Sequence, residues 1–226
     1  MSTFAEQVQK LCFINNPYNQ TIVIVDKSDK WDKRKANKIK KVILEIKDRM
    51  NVGDRLTIKT IEPDDSKESI IKTYFDYCNP GSKANPLYQN PKKILKRYED
   101  SFEKPLKDIT NTLLSPTISN NSPILDVLSE SLRQSKGKQV FIYLISDTLE
   151  NDIFDFYEKI PSIDKVFEEI YFPKNKLKLL HIYYIQRDYL KNKTNDSLVL
   201  FEKITNTLGA KFEKRRLFTI KYYNKK

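Results

Sequence analysis

The sequence predicts one three-layer α/β domain, a six-stranded sheet with helices on both faces. Strand-length apolar runs alternate with segments of helical periodicity along almost the whole chain. Two of the runs, Gln139–Ile145 (QVFIYLI) and Leu177–Ile185 (LKLLHIYYI), are nearly unbroken, as strands buried on both faces of a parallel sheet are. No repeat, low-complexity linker or composition break divides the 226 residues. They read as one domain, 1–226, with 1–19 as an N-terminal extension and 78–121 as an insertion carrying a long helix.

The elements follow in order. Thr21–Asp26 (TIVIVD) is β-branched and bounded by polar residues, hence a strand. Ala36, Ile39, Val42, Ile43, Ile46 and Met50 then step along one helical face, with lysines opposite. Gly53 is expected to cap that helix. Asp54–Ile61 alternates apolar and polar, a half-buried strand. Ile70–Tyr77 is expected as an antiparallel edge strand, followed by an irregular stretch rich in proline over 79–91. From Lys92 to Leu114 a helical stripe runs through Ile94, Leu95, Tyr98, Phe102, Leu106, Ile109 and Leu113, which Pro105 should kink or split. A loop over 115–121 leads to a helix opening at Ser122 and carrying Leu125, Leu128 and Leu132. Leu198, Phe201, Ile204 and Leu208 mark the last helix, stopped by Gly209, and Phe218–Tyr222 closes the sheet.

Composition excludes several chemistries. The four glycines, Gly53, Gly81, Gly137 and Gly209, stand too far apart for a phosphate-cradling loop. One histidine, His181, and two cysteines, Cys12 and Cys78, fall short of a structural zinc site or a disulfide framework. His181 lies midway along an apolar run and reads as a core residue. No nucleophile elbow accompanies it. No apolar run is long enough to span a bilayer, and MSTFAEQVQK lacks the arrangement of a secretory signal. With two cysteines that read as unpaired, the expectation is a soluble, cytoplasmic protein.

The net charge of +11 is unevenly spread. Residues 26–49 and 211–226 are basic, whereas 147–169 is acidic. Such runs ordinarily keep a surface wet. The tail from Lys214 to Lys226 reads as an edge strand whose cations deter sheet pairing. Its interleaved aromatic and basic residues also keep nucleic-acid binding open as the alternative function.

Ligands of open α/β sheets gather where the central strands end. The first strand ends in Asp26-Lys27-Ser28-Asp29-Lys30, the strong central one in Ser146-Asp147-Thr148, and Ser122 opens the helix between them. As sheet neighbours, these segments bring Asp26, Ser28, Ser122 and Asp147 to one crevice, an all-oxygen set suited to Mg²⁺ or Mn²⁺. Each has a plainer account as well. Ser122-Pro123 suits a helix start by itself, and Asp26 and Asp147 suit polar turns.

The pattern Asp26-x-Ser28, then Ser122, then Asp147 resembles the metal-ion-dependent adhesion site of von Willebrand factor type A (vWA) domains. The segments VIVDKSD (23–29), CNPGSKANPLYQNPKK (78–93), NSPILDVL (121–128) and LISD (144–147) resemble a group of bacterial proteins with that domain. The resemblance implies a Rossmann-like vWA fold and a non-enzymatic module that engages a partner protein, an acidic residue of which completes the cation's coordination. It places Asp26, Ser28, Ser122 and Asp147 at the metal and Asp29, Lys30 and Thr148 at the partner-facing rim. Lys30 departs from the pattern, standing where a second serine belongs. Its ammonium either repels the cation or takes its place between Asp26 and Asp147. Asp29 is positioned to replace the missing hydroxyl.

Overall fold

The computed structural model describes residues 19–27, 32–63, 69–84, 87, 89–113 and 122–221. The strands are β1 (Asn19–Asp26), β2 (Arg55–Pro63), β3 (Ser69–Cys78), β4 (Gln139–Ser146), β5 (Leu177–Arg187) and β6 (Lys211–Ile220). They form one sheet in the order β3-β2-β1-β4-β5-β6, parallel throughout except for the antiparallel edge strand β3. The expected three-layer α/β/α architecture, with this one antiparallel edge, is therefore what the chain adopts.

Each sheet face carries its own core. On one side Ile22, Ile24, Ile142, Leu144 and Ile182 meet α4 (Ile124–Gln134), α5 (Ile163–Glu169) and α6 (Lys191–Thr207) through Leu128, Val166 and Phe201. On the other Val23, Val25, Tyr143, Ile145 and Ile185 meet α1 (Lys33–Asp48) through Ile39, Val42, Ile43 and Ile46. The helices α2 (Pro91–Tyr98) and α3 (Lys104–Thr112) flank the same side, where Phe102 and Leu106 are fully buried beside Phe75. Burying each such side chain stabilises the fold by about 1.5–3 kcal/mol. The alternate residues of β1 and β4 divide cleanly between the two cores, which explains their unbroken apolar runs.

Several local features depart from the expectations. α1 stops at Arg49, so Gly53 is not its cap. With φ of 90° it turns the chain into β2, its N–H donating to the Asn79 carbonyl at 2.8 Å. The helical stretch is split near Pro105 as expected, by a π-helical turn, Glu99–Glu103, that separates α2 from α3. Proline offers no N–H for an i−4 carbonyl, and the turn before it widens so that the Lys104 N–H reaches the Glu99 carbonyl. Leu208 ends α6 and Gly209 follows at φ of 70°, the left-handed position expected of it. β6 begins at Lys211, seven residues earlier than expected, because Phe212 packs against the core. The expected 115–121 loop lies outside the described residues.

His181 is buried as expected, stacked on Tyr183 with centroids 4.3 Å apart. Its Nδ1 lies 3.1 Å from Glu213 Oε2, while burial holds its pKa below the usual histidine range. Cys78 is buried and disulfide-bonded, contrary to the expectation of unpaired thiols. The chain's other cysteine, Cys12, lies outside the described residues. No helix among the described residues is long and apolar enough to cross a membrane.

Candidate functional site

β1 and β4 are parallel neighbours at the point where strand order reverses, with β2 and β3 beyond one and β5 and β6 beyond the other. Connections leaving such a pair in opposite directions open a crevice at its carboxyl edge. Asp26 ends β1 there, on the face shared with Ile22 and Ile24, and is 2% exposed. Its Oδ2 accepts from Ser122 Oγ and from Ser146 Oγ, each at 2.8 Å. Residues 96 and 120 positions away in sequence thus meet one carboxylate oxygen.

Ser122 does not cap its helix. Pro123 is the N-cap residue of α4, and the Ser122 hydroxyl is spent on Asp26. A two-way backbone bridge with Asn151 holds Ser122 in place. The open N–H at the start of α4 is satisfied instead by Glu150, whose Oε2 accepts from Leu125 at 2.7 Å. Burial first, then the neighbouring charges of Asp126, Asp152 and Asp26, push the Glu150 carboxyl well above the usual range.

Asp147 follows Ser146, so the alternation of the strand turns it away from the Asp26 face. Its Oδ1 accepts from the Leu149 N–H at 3.0 Å, and its Oδ2 lies 2.8 Å from Arg187 Nη2 in an ion pair whose carboxylate is 2% exposed. Arg187 ends β5. Thr148, expected at the partner-facing rim, is fully buried with φ of 67°. Its N–H donates to Ser146 Oγ at 2.9 Å and its carbonyl accepts from Ser197 Oγ. Ser146 therefore passes one hydrogen bond on to Asp26 while receiving another.

Beside Asp26, Lys27 turns to a different carboxylate. Its Nζ lies 2.9 Å from Glu62 Oε2, both side chains under 10% exposed. Burial works against the Glu62 carboxylate, but hydrogen bonds from Lys27 and Tyr74 outweigh it and hold its pKa below the usual value.

Of the expected residues, then, Asp26 and Ser122 are in direct contact, and Asp147 stands at the same sheet edge but is engaged by Arg187. Ser28, Asp29 and Lys30 lie outside the described residues. Sequence reasoning passed over Ser146 and Arg187. Both were findable: Ser146 shares the alternation of β4 that faces Asp26, and Arg187 sits at the end of the next buried strand.

The described donors do not match a divalent-cation site. Both Asp147 oxygens are committed, one to a backbone N–H and one to a guanidinium that already supplies positive charge. Asp26 Oδ2 already accepts two hydroxyl hydrogens. Among the described residues, no group of three or more His, Cys, Asp or Glu is placed to hold a metal ion.

No protein-family model matches the chain, and no curated protein matches it in sequence. Among solved structures it is similar to the conserved hypothetical protein BatB from Bacteroides thetaiotaomicron, with a TM-score of 0.45 and 13% identity. That alignment covers 87% of this chain and 90% of BatB.

Proposed function

We propose that the chain is a non-enzymatic protein-interaction module of vWA-like architecture that engages its partner at the carboxyl edge of the sheet. The observation that carries this reading is the exposure of Ile153, Tyr157 and Tyr189, at 45%, 37% and 55%, on the segments that leave β4 and β5 at that edge. Large apolar and aromatic side chains of this kind anchor protein interfaces. Beneath them, the Asp26–Ser122–Ser146 network and the Asp147–Arg187 pair fix the backbone from which they project.

To test this, a photoactivatable cross-linker is placed at Tyr189 and, as a control on an exposed residue outside that edge, at Tyr171, in cells of the source organism. The reading expects a discrete adduct from position 189 that position 171 does not give. Equal yields, or none at 189, reject it.

A cation-bridged version of the same contact, with Mg²⁺ or Mn²⁺, would draw on Asp26, the carboxylate that the vWA resemblance assigns to the metal. Calorimetric titration of Mn²⁺ into the protein and into Asp26→Asn separates the versions. Saturable heat lost in the variant supports the cation, and equal heats leave the edge cation-free. The alternative of nucleic-acid binding draws on the consecutive exposed residues Lys214, Arg215 and Arg216. It requires a mobility shift that weakens steeply above about 50 mM salt.

A further inference from the structure

On the α4 side of the sheet, away from the carboxyl edge, the apolar core gives way to a polar cavity of about 350 Å³. β2 presents Arg55, Thr57 and Lys59 to it, all 4–6% exposed. A strand of alternating pattern ordinarily turns its polar face to water, so three buried polar residues in a row call for partners. Most are found within the wall. Arg55 Nε donates to Asp76 Oδ1 at 2.6 Å and its Nη2 pairs with Oδ2. Thr57 Oγ1 donates to Asp76 and accepts from Gln20 Nε2.

Two groups are left over. Ser131 Oγ, on α4 and fully buried, lines the cavity without a hydrogen-bond partner among the described residues. Lys59 uses one of its three ammonium donors on Gln134 Oε1 at 3.0 Å and has no carboxylate in an ion pair among the described residues. Burial alone lowers its pKa, with Asp76 opposing only partly. Arg55 and Asp76 cancel, so Lys59 and Lys136 leave the lining with an excess positive charge. The carbonyl end of α4 would repel an anion, but Lys176 Nζ covers the Leu132 and Ser135 carbonyls from behind.

We propose that this cavity binds a compact oxyanion, a small carboxylate or phosphate, held by the Lys59 ammonium and the Ser131 hydroxyl. The ligand completes the two unfinished polar groups and offsets the cost of a desolvated cation. The volume of the cavity suits a ligand at the small end of the usual range.

The test titrates inorganic phosphate and citrate separately into the full chain, into Lys59→Gln and into the exposed control Lys214→Gln. At least one probe is expected to bind saturably, about tenfold more weakly in Lys59→Gln and unchanged in Lys214→Gln. Which probe binds identifies phosphate or carboxylate. Absence of saturable binding by either, or equal affinity in Lys59→Gln, overturns the proposal. Should Lys59→Gln not fold, amide resonances of the unaltered protein decide. Shifts at Thr57, Lys59 and Ser131 support the site, and shifts confined to residues 33–41 and 214–216 overturn it.

Discussion

Arg187 and Asp147 form a charge pair at the ends of the adjacent strands β5 and β4, with the Asp147 carboxylate buried at 2% exposure and Arg187 half-buried. Removing Arg187 leaves the Asp147 carboxylate buried with its charge partner gone. Arg187→Met is therefore expected to cost about 3 kcal/mol, and Asp147→Asn in the same chain should restore most of it, measured as urea midpoints. Full additivity of the two losses would mean that the pair does not act as a unit. Glu150 gives a pH signature. Its native pKa lies above the unfolded value near 4.5, so the folded state holds the proton more tightly. Stability is full below that value and falls as pH rises through the native pKa. Glu150→Gln keeps the acceptor for Leu125 and should flatten this decline as pH rises above the unfolded value near 4.5. An unchanged slope in thermal melts would show that Glu150 titrates normally.

At the scale of elements, the π turn before Pro105 shows how a missing N–H is absorbed between two α-helices, by lengthening one turn. Proline announced an irregularity, but its form depended on Phe102 and Leu106 both reaching the core. Gly209 is a simpler case. Its φ is 70°, and a Cβ added there would have no atom within 4 Å, so a side chain meets no clash, only backbone strain. Gly209→Ala should thus cost about 1–2 kcal/mol, read from denaturant unfolding. A loss near zero would mean that the turn relaxes to accept alanine. Ser122-Pro123 looked like a cap followed by a first helical residue, and sequence spacing alone favours that. Asp26, arriving from a distant strand, outcompetes the helix for the hydroxyl.

For the molecule as a whole, the strand order places β3 and β6 at the sheet edges. On β6, Lys214, Arg215 and Arg216 are exposed and face no further strand. Replacing all three with threonine removes the charge that opposes edge-to-edge pairing, so self-association should rise, seen as growth in light scattering at fixed concentration. A monodisperse triple variant would assign those cations a different role, and nucleic acid is the first to examine. The +11 charge was legible from composition, whereas its concentration on an edge strand required the topology.

The layered fold, its six strands and the polar crevice at the ends of the first and fourth were all written locally, in periodicities of two and 3.6 and in the residues that follow buried runs. Local sequence also nominated Asp26, Ser122 and Asp147. It was silent on which partner each would take. Hydrogen bonds join groups 96 and 120 residues apart and the Asp147–Arg187 ion pair joins neighbouring strands, and their choice depends on register: one step along β4 hands Ser146 to Asp26 and Asp147 to Arg187. The cavity at Lys59 was hidden for the same reason. An alternating strand predicts that one face is polar, and only the packing of α4 over it decides that this face is buried.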